Sequence, residues 1–222
     1  ITVNGNIWLY HEEYSNDSTV ELKAKKIVIN AGPEGIWAGG NDTSITLNAE
    51  GSIAVDGSLN LFGQRSEIDI TGGSISGNSV SLFGQGAEIN INSNGDVSLD
   101  TILLYETSNS TINVNGTNIA LDGTVNVVTP YYVGASDPVT ANIGSDTTES
   151  VTIKADRGIY AQYQNACVNV RGQLLDIEAS GDLGIYAGNS EYANSPAQVD
   201  VYSDHTKIAM TGGGIALEAY SH

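Results

Sequence analysis

The sequence predicts an all-β chain wound into a solenoid, and three observations predict it. Apolar residues recur as triplets of the form apolar-x-apolar, bounded by Gly, Asn, Asp and Ser, with no helical periodicity between them. The triplets fall into three series that follow one another in a fixed order along the 222 residues. Each unit of three is too short to bury its own apolar face, so units must stack coil on coil.

The first series runs through residues 20–22 (VEL), 45–47 (ITL), 68–70 (IDI), 89–91 (INI), 112–114 (INV), 141–143 (ANI), 168–170 (VNV) and 199–201 (VDV). The second takes residues 27–29, 53–55, 97–99, 119–121, 151–153, 175–177 and 208–210, with its weakest rung near Ile75. The third takes 7–9, 36–38, 59–61, 80–82, 102–104, 125–127, 159–161, 185–187 and 215–217, nine rungs spaced 21 to 34 residues apart. Second and third strands form one visible unit, as in IAVDGSLNLFG from Ile53, IALDGTVNVV from Ile119 and ITVNGNIWLY from Ile1. Three strands per turn make a parallel β-helix of about eight to nine coils, a single domain over residues 1–222. The general preference of parallel crossovers makes the expected hand right. At about 4.8 Å per coil the body would be roughly 40 Å long, with apolar ladders inside and the middle residue of each triplet outside.

A glycine usually stands just before the third strand, where a tight corner would call for positive φ. The chain opens at a second strand and ends just after a third, without an amphipathic cap, and is expected to be a segment of a longer protein. Three long excursions interrupt the coils, at residues 11–17 (HEEYSND), 129–140 (TPYYVGASDPVT) and 188–196 (GNSEYANSP).

Eight Lys and Arg stand against 26 Asp and Glu, a formal charge of −18. Such a surface repels phosphate backbones and anionic bilayers, so nucleic acid is not an expected partner. No apolar run reaches the roughly 18 residues of a spanning helix, and direct membrane insertion is not expected. The single cysteine, Cys167, has no partner within the chain for a disulfide.

Catalytic chemistry finds few residues. The histidines are His11, His205 and His222, and no GxSxG stretch accompanies them. Cys167 with scattered His does not close a tetrahedral zinc site. Glu12, Glu13, Asp146, Glu149 and Asp156 read as solvating charges, since the GGxGxD calcium nonapeptide is missing. No catalytic residue, metal or cofactor is expected.

The outward positions make three columns. The first strand shows Glu21, Thr46, Asp69, Asn90, Asn113, Asn142, Asn169 and Asp200, whose amides are expected to hydrogen-bond along the ladder. The second shows Thr2, Val28, Ala54, Ser98, Ala120, Thr152, Asp176 and Ala209, mostly small and nearly flat; Thr152, Asp176 and Ala209 mark a candidate self-association face. The third carries Trp8 and Trp37 near one end and Tyr160 and Tyr186 near the other. A ring that stacks on a pyranose face while its polar edge stays wet makes Trp8, Tyr160 and Tyr186 candidate ligand-binding residues. Tyr131, Tyr132 and Tyr192 join them because they lie in loops.

The Gly-bounded triplets, the Asn/Asp/Ser/Thr-rich exterior and stretches such as GSIAVDGSLNLFG and GDLGIYAGNS resemble the passenger domains of bacterial autotransporter adhesins and the related filamentous-haemagglutinin-like β-helices. The resemblance covers the whole chain. It implies a right-handed β-helix displayed at, or released from, a Gram-negative surface through type V secretion, with an outer-membrane anchor beyond this segment. It further implies a non-enzymatic adhesin for host or bacterial surface glycans or proteins, with cell aggregation and biofilm formation by self-association as the alternative. Pectin-lyase-like enzymes share this superfold. Arg65, Arg157 and Arg171 fall at different corners, however, and the net charge would repel a polyuronate.

Overall fold

The computed structural model describes residues 1–9, 18–105, 107–129, 137–188 and 197–220. Among them the chain forms 26 short strands and a single 3-10 turn, Gly32–Glu34. The strands make three all-parallel sheets, two of nine strands and one of eight, and successive strands of each sheet are three apart in chain order. The fold is therefore a β-solenoid with three strands per turn. Thr19–Ala24, Ile27–Asn30 and Ile36–Ala38 form its first complete coil. The strand called weakest from sequence, Ser74–Ser76, takes its full place, with Ile75 between Ile53 and Val97.

Period-two alternation sets which side chains go inside. On the third sheet Ile36, Leu59, Val80, Ile102, Val125 and Ile159 stand in register, each 1% exposed or less. Equivalent ladders from the other two sheets meet them in one continuous core. Each fully buried branched side chain contributes about 1.5–3 kcal/mol, and so the stack holds without a disulfide.

The corners use two different devices. Glycines before the third strand divide between them: Gly5, Gly35 and Gly57 have positive φ, whereas Gly123 and Gly158 do not. At Gly158 a Cβ would strike the Gly184 carbonyl and Ile177, and at Gly123 it would strike Thr101, so close approach of neighbouring coils excludes a side chain there. Left-handed backbone is commoner at the corner from third to first sheet. There Asp42, Arg65, Gly86, Asn109 and Asn165 occupy equivalent positions, two residues before strand partners that pair coil to coil. Buried hydroxyls satisfy the carbonyls turned inward at the corners. Ser66 Oγ donates to the Gly40 carbonyl at 2.9 Å, Ser110 Oγ to that of Gly84 at 2.7 Å, and Thr148 Oγ1 to that of Gly116 at 2.8 Å.

The last coil departs from the sequence reading by two residues. His205–Met210 pairs so that Lys207 faces Asp176 and Ala209 faces Glu178, and in the third sheet Leu217 and Glu218 face Ile185 and Tyr186. The outward column of the second sheet thus runs Thr2, Val28, Ala54, Ser76, Ser98, Ala120, Thr152, Asp176 and Lys207, with Ala209 outside it.

Candidate functional site

The outward column of the first sheet is in register throughout, from Glu21 to Asp200. Its amides form a chain: Asn90 Nδ2 donates to Asp69 at 2.9 Å, Asn113 to Asn90 at 2.8 Å, Asn142 to Asn113 at 2.8 Å, and Asn169 to Asn142 at 2.8 Å. Each of these amides spends a donor and most spend an acceptor on a neighbour, which makes the row a structural ladder. At its acidic end, burial first and the neighbouring Asp69 and Glu88 carboxylates next raise the pKa of Glu67, while the Asn90 amide lowers it.

The second sheet offers little relief. Thr152 lies between Ala120 and Asp176, and Asp176 meets Lys207 Nζ at 3.4 Å. Cys167, half-buried between Thr140 and Gln198, has its pKa pushed up by burial and by Asp200. Among the described residues no group of three or more His, Cys, Asp or Glu is placed to hold a metal.

All three arginines are engaged in ion pairs between adjacent coils. Arg65 meets Asp42 at 2.6 Å, Arg157 meets Asp182 at 2.9 Å and Arg171 meets Asp146 at 2.9 Å. The Arg65 hydrogen bond holds the Asp42 carboxyl below its ordinary value, as Arg157 does for Asp182. The guanidinium of Arg171 also lies 4.7 Å from the centre of the Tyr202 ring, at the wall of an open polar cleft of about 670 Å³ with Ser145, Asp146, Gln173 and Asp204. Its one cation is thus already neutralised.

The third sheet carries the aromatic side chains. Trp8 and Trp37 are strand partners with ring centres 5.7 Å apart and planes inclined at 46°. Trp37 meets Phe62 at 5.4 Å and 45°, Phe62 stacks on Phe83 at 4.6 Å and 2°, and Phe83 meets the edge of Tyr105 at 6.4 Å. Sequence reasoning missed Phe62, Phe83 and Tyr105, which stand one residue beyond the third-strand triplet. The repeated LFGQ of Leu61–Gln64 and Leu82–Gln85 was the signal that could have found them.

Trp37 crosses from one column to the other because Gly39 leaves it room. A Cβ at Gly39 would lie 2.5 Å from the indole ring of Trp37, too close for contact. Gly188 serves Tyr186 in the same way, so that IWAG from Ile36 and IYAG from Ile185 are two copies of one seat. The outcomes differ. Tyr186 lies on Tyr160 at 4.5 Å and 14°, and Arg157 sits 5.7 Å from the centre of the Tyr160 ring, so the pair covers the faces that meet. Burial pushes the Tyr160 hydroxyl pKa up. Tyr160 and Tyr186 are therefore brought together as a stack, rather than as a platform with free faces.

At the opposite end the inclined rings leave a groove of about 480 Å³, lined by Trp8, Glu34, Trp37, Asn60 and Phe62. Trp8 is 56% exposed and Phe62 41%. The 3-10 turn Gly32–Glu34, with Pro33 fixing its backbone, carries Glu34 to the rim. Asn6 Nδ2 donates to the Glu34 carboxylate at 3.3 Å and Asn60 Nδ2 to its main-chain carbonyl at 3.3 Å. Beneath the turn, a Cβ at Gly35 would strike Ser58 and one at Gly57 would strike Gly32 and Gly35, so the corner is seated directly on the next coil. This is the candidate site. Tyr131, Tyr132 and Tyr192 lie outside the described residues, on the connections from third to first sheet.

Compared with known protein families, curated proteins and solved structures, the chain matches none of them.

Proposed function

We propose that this protein is a segment of a non-enzymatic bacterial cell-surface adhesin that binds surface glycans or proteins. The observation that carries the reading is the inclined Trp8–Trp37–Phe62 row, whose exposed rings border a preformed groove on a rigid sheet. Ring faces held by the backbone of three neighbouring coils are immobilised before any ligand arrives, so binding costs little side-chain order. The solenoid supports this use as a straight spacer that holds the groove away from an anchoring surface. An extracellular setting accords with the acidic surface, the lone thiol and the resemblance to autotransporter passengers.

Binding of the purified chain to an array of glycans, matrix proteins and whole cells tests this reading, beside Trp8→Ala. Saturable binding that falls in the variant is the expected result. No binding by a chain whose circular dichroism shows a folded β-protein would overturn it and leave a stalk segment in its place.

A further inference from the structure

We infer that the Trp8–Trp37–Phe62 groove selects an uncharged hexopyranose chain laid along the solenoid axis and turns away anionic glycans. The inference rests on the adhesin reading and names the ligand class of its site.

Ring orientation is the first ground. A pyranose binds an aromatic ring by laying its C–H face on the π-face, which requires a face open to solvent. A parallel stack hides the two faces that meet, and Phe62 on Phe83 at 2° and Tyr160 on Tyr186 at 14° are closed in this sense. At 46° and 45°, Trp8, Trp37 and Phe62 are fanned, and Trp8 and Phe62 remain 56% and 41% exposed. The steps of 5.7 and 5.4 Å are comparable to the advance per sugar in an extended, equatorially linked hexopyranose chain, so successive sugars fall on successive rings.

Charge is the second. Among the described residues, the only ionisable side chain lining the groove is Glu34, and no Lys or Arg lines it. Each arginine of the chain is held by an aspartate of an adjacent coil. A uronate, sialate or sulfate placed on the rings would face the Glu34 carboxylate and the field of a chain with net charge −18, with no cation among the described lining residues to offset them. An uncharged sugar finds the opposite: a carboxylate that accepts from two hydroxyls, and the Asn60 amide beside it. Because Pro33, Asn6 and Asn60 fix the turn, these polar groups keep one position above the rings.

Affinity electrophoresis and titration calorimetry with hydroxyethylcellulose, galactomannan and a mixed-linkage β-glucan, against polygalacturonate, hyaluronan and heparin, test the inference. Retardation by at least one uncharged polymer and by none of the anionic ones is expected. Trp8→Ala is expected to weaken the uncharged interaction about tenfold or more. Glu34→Gln, which keeps the shape and the folded spectrum, is expected to weaken it several-fold while admitting the anionic polymers. Equal or stronger retention by an anionic polymer, or uncharged binding indifferent to Trp8→Ala, would overturn the inference. Trp8-dependent capture of a matrix protein or an anionic glycan alone would overturn it while leaving the adhesin reading in place. Failure to bind any probe, including the matrix proteins and cells, would remove both.

Discussion

The two aromatic clusters of the third sheet are built on the same seat and finish in opposite states. IWAG at one end and IYAG at the other each place a ring over a glycine two residues on, outside the same sheet. Tyr186 then meets a parallel partner, Tyr160, flanked by Arg157, and the faces that meet are consumed. Trp37 meets its strand partner Trp8 at 46° and Phe62, two residues further along the next strand, at 45°, and Trp8 and Phe62 remain exposed. Exposed aromatic content on a β-face is therefore a poor guide to binding by itself. The angle between successive rings decides, and it differs between the two ends although Trp8 and Trp37, like Tyr160 and Tyr186, are strand partners.

The largest test of this contrast is to fill both seats. Gly39→Val and Gly188→Val should each displace a ring and cost about 1–3 kcal/mol in urea unfolding, but only Gly39→Val should abolish glycan binding. Loss of binding in both would show that the two ends act as one site. Next come the rings themselves. Trp8→Ala should cost about tenfold in affinity, whereas Tyr186→Ala should lower stability by about 1–2 kcal/mol and leave affinity within error. Asn113→Ala breaks the amide ladder on another sheet, leaves Asn142 without its acceptor, and should cost about 1 kcal/mol with no change in binding. It sets the scale for a purely structural row.

The smallest effect is a titration. Burial, then the neighbouring Tyr186, raises the Tyr160 pKa above the ordinary 10.0, with Arg157 acting the other way. A folded value above the unfolded one means that the contribution to stability is complete below 10.0 and is lost as pH rises through the folded value. Phenolate absorbance should show one late-ionising tyrosine that Tyr160→Phe removes; a normal titration would mean that the stack is open to water.

Most of the fold was legible because inward triplets have a period that only a stacked strand satisfies. Ile68-x-Ile70, Ile89-x-Ile91 and Ile112-x-Val114 align without any knowledge of the corners. The final coil was misread because Ile208 and Met210 offered an apolar triplet, whereas coil-to-coil pairing sets Thr206 and Ile208 opposite Leu175 and Ile177. The candidate site was half legible. Trp8 and Trp37 stood out as outward residues and Asn60 is the outward residue of the next strand, but Glu34 reaches the groove only through a corner whose shape depends on the contact of Gly35 and Gly57 with their neighbours. The closure of Tyr160 on Tyr186 depends on an inter-ring angle, which spacing alone does not encode.

The long connections share an address. Residues 10–18, 129–138 and 189–197 all join a third-sheet strand to the next first-sheet strand. The coils on either side of the second remain paired residue for residue, Ser110 with Val139 and Val139 with Ala166. One corner of the prism is thus a grafting port, where chain can be lengthened without disturbing the threads of the screw. The corner from second to third sheet spans two to five residues and is packed coil against coil at Gly57, Gly123 and Gly158. A peptide epitope or a second domain spliced into the connection spanning residues 129–138 should leave the solenoid wound, whereas the same insert at Gly57 or Gly158 should unwind it, a difference that circular dichroism would read.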